Sequence, residues 1–165
     1  MNLNPTQQEL SSGIKLQEAK TFVGKNADYY INKWSILKSS PKRINWNFAA
    51  FFLSIFWLGY RKMYNTLLII LGIFIVTDIV QVSIGIDINN AIGYAISGAL
   101  GVMGNSYYLN HMKKKIFKIK NYSSTEGEYY DMLEKAGGTS WLGVLISIAA
   151  VVVYFIISVF IYNFV

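Results

Sequence analysis

The sequence predicts an all-α integral membrane protein with about three transmembrane helices, a short re-entrant or interfacial helix and amphipathic surface helices. Three observations support this class. The chain of 165 residues is 53% hydrophobic and only 15% charged, whereas about 25% of residues are charged in soluble domains. Its mean hydropathy is +0.35. The apolar residues form long blocks with the charges between them, and three blocks can cross a hydrocarbon core of about 30 Å.

The chain begins with polar residues. We predict a flexible polar N-terminus over residues 1–21, followed by a single helical membrane domain over residues 22–165. The start, MNLNPTQQELSSGIK, lacks the basic flank and the apolar stretch of a signal peptide. The apolar segments are therefore expected to remain in the product.

A short amphipathic helix is expected after Asn26, which can cap it. Tyr30, Trp34 and Leu37 recur at helical spacing, with lysines among them. This helix would lie on the membrane surface or on the protein's own cytosolic face, and it should end near Pro41.

The three long apolar blocks predict spans over residues 64–84, 89–109 and 140–163. A span needs roughly 20 helical residues, because each residue adds about 1.5 Å. The second block is less apolar because it contains Gly, Ser and Asn. We therefore expect neighbouring helices to shield it from lipid.

Residues 46–60 form a shorter apolar segment, about 22 Å as a helix, which is less than the hydrocarbon thickness. Basic pairs flank it, Lys42 and Arg43 before and Arg61 and Lys62 after. Basic residues beside spans lie mainly in the cytoplasm. All 15 Lys and Arg fall on one side only if the segment turns back, so we favour a re-entrant or interfacial helix. A short span across a thinned bilayer is the alternative.

Four segments occur in a characteristic order: FVGKNADYYINKW, WNFAAFFLSIFWLGYRKMY, GNSYYLNHMKKKI and KAGGTS. In this order they resemble the bacterial membrane family catalogued as domain of unknown function 2628, from Phe22 to the C-terminus. The resemblance implies a small membrane protein and no established activity. Some members carry zinc ribbons, which a chain without Cys cannot form, and LSIFW stands where a Gly-Pro pair often breaks the helix. The most specific part, here called the family box, contains Trp57, Tyr60, Arg61, Lys62, Met63 and Tyr64.

Asp78 is the one charged residue within a predicted span. A charge in hydrocarbon costs at least about 2.5 kcal/mol, so Asp78, Thr77 and Gln81 form a candidate intramembrane polar site. Asp78 lies about 22 Å along its helix, however, and we favour an interfacial carboxylate in contact with water over an ion or proton ligand. Residues that can approach it across the hairpin are Asn89, Asn90 and Tyr94.

Small residues recur every four positions in the second span, at Gly93, Ser97 and Gly101. This spacing predicts close helix packing. The neighbouring AISG is similar to the Gly-x-Ser-Gly of intramembrane serine proteases, but the only His, His111, follows the same helix, which excludes that geometry. Without Cys, and without a nucleotide or hydrolase motif, the sequence predicts no catalytic, cofactor-binding or metal site. We expect a protein that is not an enzyme.

Residues 110–139 are expected to be cytosolic and to begin with a basic amphipathic helix, HMKKKIFKIK. One face of it carries Leu109, Met112, Ile116 and Ile119. Such a helix can lie on an anionic leaflet, or its charges can act only as a topogenic flank. The lysines expected to contact lipid are Lys113, Lys114, Lys115, Lys118 and Lys120.

The stretch that follows is acidic and aromatic. A brief helix is expected over residues 131–136, closed by Gly137, with Thr139 or Ser140 capping the last span. The acids expected to pair with the preceding lysines are Glu126, Glu128, Asp131 and Glu134.

Two functions remain open. The first is a non-enzymatic membrane adaptor or regulator, and the alternative is a subunit of a small oligomeric transporter or channel that uses Asp78. Expected partners are the lipid bilayer, anionic headgroups, and a protein partner or a second copy of the chain. Nucleic acid is not expected, because the basic residues flank apolar segments without a recognition motif. We expect a multi-pass protein of the bacterial cytoplasmic (inner) membrane, with a cytoplasmic N-terminus.

Overall fold

The computed structural model describes residues 9–11, 13–39 and 45–164. Helices dominate these residues, which confirms the predicted all-helical class. In chain order the elements are β1 (Glu9–Ser11), β2 (Ile14–Lys15), α1 (Leu16–Val23), α2 (Ala27–Ser39), α3 (Phe48–Tyr60), α4 (Tyr64–Ile84), α5 (Asn89–Lys120), α6 (Glu126–Ala136) and α7 (Trp141–Phe164).

The chain forms two compact units, where the sequence predicted one domain over residues 22–165. Unit 1 comprises Met1–Trp46 and Val102–Thr139, and unit 2 comprises Asn47–Gly101 and Ser140–Val165. Unit 1 contains β1, β2, α1, α2 and α6 with the later part of α5. Unit 2 contains α3, α4 and α7 with the first part of α5.

The N-terminal segment of unit 1 differs from the flexible polar N-terminus predicted over residues 1–21. Its described part forms the antiparallel pair of β1 and β2 and the start of α1. Ile14, Ala19 and Phe22 are fully buried. The few apolar residues of this segment are turned toward the interior by β2 and α1. A mostly polar stretch therefore still contributes to the core. Residues 1–8 and 12 lie outside the described residues.

The other helices of unit 1 follow their sequence signals. Tyr30 and Trp34 of α2 are buried and Leu37 is half-buried, so this face lies against the protein, one of the two expected alternatives; Pro41 lies outside the described residues. Helix α6 begins earlier than predicted, because the Thr125 side chain accepts a hydrogen bond from the backbone N–H of Glu128. It ends at Gly137, as expected.

Unit 2 contains two helices that are long and apolar enough to cross a membrane among the described residues, namely α4 and α7. Helix α4 has the predicted bounds, and the Ser140 hydroxyl caps α7 by accepting a hydrogen bond from the N–H of Gly143. The span predicted over residues 89–109 is instead the first part of α5, which continues to Lys120. Helix α5 is not one of the two helices that are long and apolar enough to cross a membrane. The expected count of about three spans is therefore not confirmed.

Helices α3 and α7 approach each other most closely where two glycines meet. A side chain at Gly59 would collide with the Ser147 hydroxyl and the Gly143 carbonyl. A side chain at Gly143 would meet the Gly59 carbonyl and, at 2.9 Å, the Tyr64 hydroxyl. Sequence reasoning missed this contact, although Gly143 and Ser147 are four residues apart, the spacing that marks close helix packing.

We expect Gly59→Ala to destabilise the protein by about 1–3 kcal/mol, because the added methyl group overpacks a contact between backbones. The free energy of unfolding in mixed micelles measures the effect. Gly72→Ala is the matched control, since a side chain there meets nothing within 4 Å. Equal stability of the two variants would contradict the contact.

Candidate functional site

Asp78 lies in the last two turns of α4 and is completely buried, with 0% of its surface exposed. Its Oδ1 accepts a hydrogen bond of 2.5 Å from Nδ2 of Asn89, the first residue of α5. The same Nδ2 lies 3.4 Å from the hydroxyl of Tyr162 in α7. Tyr154, two turns earlier in α7, also interacts with the carboxylate. These four residues, which we call the Asp78 cluster, bring three helices together.

The burial of Asp78 corrects one sequence-based interpretation. An interfacial carboxylate in contact with water was favoured from its distance along the helix, but the side chain is inaccessible. Distance along a helix does not show which face a hairpin partner covers. Asn89 does approach Asp78, as expected, whereas Asn90 and Tyr94 are exposed.

The other two residues of the predicted polar site have local roles. The Gln81 Oε1 accepts hydrogen bonds from the backbone N–H groups of Ile88 and Asn89, at 3.2 and 3.3 Å. The Thr77 hydroxyl donates to the carbonyl of Ile73, one turn earlier. Gln81 therefore closes the loop between α4 and α5, and Thr77 bonds to its own helix.

Helix α3 is broken at Ser54, where φ is 41° and ψ is −110°. A residue other than glycine is strained in this region, and such strain is common at functional sites. The residues around the break line one side of a cleft of about 510 Å³, and α4, α5 and α7 line the rest. Both Asn89 and Tyr154 of the Asp78 cluster reach this cleft.

The small residues of α5 were expected to pack closely against another helix, but the structure places them differently. A side chain at Gly93 would meet nothing within 4 Å, so Gly93 is not a site of close packing. Gly93 and Ser97 instead line the cleft. Gly101 is buried, and its carbonyl accepts a hydrogen bond of 2.7 Å from the N–H of Asn47.

The family box forms the turn from α3 to α4. Trp57, Arg61 and Met63 are buried, and Lys62 adopts φ of 57°. The Tyr60 ring packs against the Trp141 ring, with 5.5 Å between the two centroids. The Arg61 guanidinium lies 5.7 Å from the centroid of the same Tyr60 ring. Tyr64 begins α4. The family box is thus a largely buried connection between α3 and α4.

Unit 1 has a polar core that sequence reasoning missed. The carboxylate of Glu18, only 3% exposed, accepts hydrogen bonds from the Lys15 N–H, at 2.7 Å, and the Tyr129 hydroxyl, at 2.9 Å. Lys120 lies 4.0 Å away. Burial, followed by this hydrogen bond to Glu18, raises the pKa of Tyr129. The hydrogen bond from the Lys15 N–H to Glu18 caps the start of α1, but Lys15 is not one of the residue types that mark a capping box in a sequence.

A second buried polar group of unit 1 is Asn105, which is 0% exposed. Its carbonyl accepts a hydrogen bond of 2.8 Å from the Trp34 indole, and its side chain donates to Asn45 at 3.0 Å. The Tyr108 ring, one turn later, packs against the rings of Tyr30 and Trp34. These contacts join α2 to α5.

The basic helix predicted over HMKKKIFKIK forms, but its apolar stripe does not face lipid. Met112, Ile116 and Ile119 are buried, and the ring of the neighbouring His111 contacts the Phe22 ring of α1. The exposed lysines are Lys114, Lys115, Lys118 and Lys120, while Lys113 is half-buried.

The expected pairing of these lysines with the acids of α6 is not found among the described ion pairs, where Lys120 pairs with Glu18. The Glu128 carboxylate instead accepts a hydrogen bond from the Ser124 N–H. The N-terminus of α6 therefore uses the side chain that was expected to bind lysine.

Taken together, the fold and the site define an α-helical protein with two candidate membrane-spanning helices and a buried carboxylate cluster. The family described as "Protein of unknown function (DUF2628)" matches residues 12–114, more than half of the chain. The chain belongs to this family, which confirms the resemblance. The match begins before Phe22 and ends before α6. No curated protein and no solved structure matches the chain significantly.

We expect the single His of the chain, His111, to remain neutral down to acidic pH. Burial, then the charges of Lys115 and Lys114, lower its pKa from 6.5 to about 4. As the pH falls, the imidazole of the unfolded chain is protonated before that of the folded chain. The stability that the neutral, buried His111 contributes is therefore fully present above pH 6.5 and is lost as the pH falls from 6.5 toward 4.

An NMR titration of the imidazole measures this pKa without overlap from another His. Lys115→Gln should raise it, because a positive charge is removed, and Lys118→Gln should raise it less. A folded protein whose imidazole titrates near 6.5 would contradict the burial.

Proposed function

We propose that the chain is a non-enzymatic membrane adaptor or regulator, anchored by unit 2 and acting through unit 1. The observation that carries this proposal is the folded core of unit 1. Buried polar groups at Glu18 and Asn105 hold its helices in one arrangement, so that its charged surface has a fixed shape. A surface of this kind suits the recruitment of a partner.

The exterior of unit 2 supports the anchoring role. Helix α7 exposes large apolar side chains, including Val152, Phe155 and Ile156 at 52%, 59% and 66%. Contiguous exposed apolar surface marks a membrane or protein contact. We propose that lipid covers this surface in the cytoplasmic membrane of a bacterium.

A re-entrant course for α3 is supported by the contacts at its two ends. The N–H of Asn47, just before α3, donates a hydrogen bond to the Gly101 carbonyl. At the other end, the carbonyl of Tyr60, the last residue of α3, accepts a hydrogen bond of 2.9 Å from the N–H of Ser140. Gly101 lies about 18 Å along α5 from Asn89. Asn89 in turn contacts Asp78, which lies about 21 Å along α4 from the first residue of that helix.

With α5 antiparallel to α4, Gly101 would be nearly level with the start of α4, and the hydrogen bond to Ser140 brings Tyr60 to the start of α7. Both ends of α3 would then lie at the same depth in the membrane, while its middle, around Ser54, shares a cleft with Val151 in the centre of α7. A broken helix with both ends in one layer suits a segment that enters the bilayer and returns.

The same contacts support a third crossing by α5 over residues 89–109, the span that the sequence predicts. In this proposal α5 returns beside α4, and the loop between the two helices contains Asp87 but no Lys or Arg. With α3 re-entrant, the N-terminus and every basic residue lie on the cytoplasmic side. The exposed lysines of unit 1 can then approach anionic headgroups by charge alone.

A second candidate function, a subunit of a small oligomeric transporter or channel, is favoured by the burial of Asp78. Ionisable residues within membranes face the protein interior and mark ion or proton pathways. The adaptor proposal remains first, because the fixed surface of unit 1 has no role in conduction.

The proposed topology predicts the labelling of single cysteines in a chain that has none of its own. Ser39→Cys and Asn65→Cys should resist an impermeant thiol reagent added outside intact cells, whereas Asp87→Cys should react. All three positions are exposed, so protection reports the membrane. Outside labelling at Ser39 would show that α3 crosses.

The adaptor function predicts a partner contact at α6. A photo-crosslinking residue at Glu134 should give one discrete adduct with a protein in living cells, and the same residue at Val152 should give none, since lipid covers it. Removing charge by Glu126→Gln with Asp131→Asn should abolish the adduct. Asp78→Asn should preserve it.

The same Asp78→Asn variant separates the two functions. An adaptor does not conduct, so wild-type vesicles should carry no ion or proton flux above the lipid background. Flux in the wild type that disappears in Asp78→Asn at equal membrane levels would replace the adaptor with the transport function.

A further inference from the structure

The Asp78 cluster contains two buried oxygen atoms without a hydrogen-bond partner among the described residues, Oδ2 of Asp78 and Oδ1 of Asn89. The amide orientation of Asn89 is fixed, because its Nδ2 donates to Asp78 and lies near Tyr162. Turning the amide would place its oxygen against the carboxylate. Both remaining atoms are therefore acceptors, and only a positively charged or protonic group satisfies two acceptors.

The surrounding charge is negative. Residues 64–101 and 140–164 of unit 2 contain two acids, Asp78 and Asp87, and no Lys or Arg. A buried carboxylate without a counter-charge is strongly unfavourable. The C-terminal end of a helix carries partial negative charge, and Asp78 lies near the C-terminal end of α4.

The positive end of α5 does not supply the missing charge. The backbone N–H groups of Ile88 and Asn89 donate to the side chain of Gln81. Two of the N–H donors at the start of α5 are thus occupied by a neutral amide rather than by the carboxylate.

We propose that the Asp78 cluster binds one dehydrated monovalent cation of the size of Na⁺. Asp78 Oδ2 and Asn89 Oδ1 would be its main ligands, with the hydroxyls of Tyr154 and Tyr162 nearby. One carboxylate balances one charge, and neutral oxygens complete the shell. No group of three or more His, Cys, Asp or Glu occurs among the described residues, which argues against a divalent or transition metal.

Exposed Asp87 provides the approach to this site. It interacts with Tyr162, as Asp78 does, and it lies in the loop between α4 and α5. An acid at the mouth of an acidic site attracts cations and raises their local concentration. The inference stands independently of the adaptor function, because a bound cation also serves a protein that conducts nothing.

The test measures unfolding of the purified full chain in dodecyl maltoside micelles. NaCl, KCl or LiCl replaces N-methylglucamine chloride at constant ionic strength. In the wild type, each tenfold increase in Na⁺ above its dissociation constant should lower the unfolding constant about tenfold. Asp78→Asn should lose this dependence. Asp87→Asn should retain it, with weaker apparent affinity.

Equilibrium binding of radioactive Na⁺ to the folded wild type gives a readout that does not depend on the stability of a variant. One saturable site per chain, weakened in Asn89→Ala, is expected. Absence of saturable Na⁺, K⁺ or Li⁺ binding would overturn the proposal, as would stability that responds to pH but to no cation. Loss of the crosslink at α6 would contradict the adaptor function and leave this result unaffected.

Discussion

The contact of the α3 backbone with the α7 backbone at Gly59 and Gly143 is the constraint on which unit 2 depends. Because neither residue has a side chain, the two backbones approach closely, and the Ser147 hydroxyl, which donates to the Gly143 carbonyl within α7, lies at this contact. This approach positions the last turn of α3 against the start of α7. The break at Ser54 then directs the first half of α3 toward Gly101.

The sequence predicted those features that depend on neighbours along the chain. Apolar length gave the bounds of α4 and nearly those of α7, and helical spacing placed Tyr30 and Trp34 on one apolar face of α2. The short apolar segment also forms a helix, broken at Ser54 without the expected Gly-Pro pair. Each of these signals is complete within about one helix length.

Features formed by distant residues were not predictable in the same way. The burial of Asp78 depends on Asn89 across a loop and on α7, more than 70 residues away in the sequence. Glu18 is buried through Tyr129, 111 residues later. The apolar face of the basic helix reads equally well as a lipid face or a core face, because lipid and protein interiors select the same side chains. The burial of Met112, Ile116 and Ile119 within the folded protein decides between them.

The glycine contact also governs the order of assembly. Gly143 follows Gly59 by 84 positions (143 minus 59) in the chain, so a growing polypeptide exposes α3 long before its packing surface exists. During synthesis the strained backbone at Ser54 has no support from α7. Helix α3 therefore completes its packing only after α7 has been synthesised.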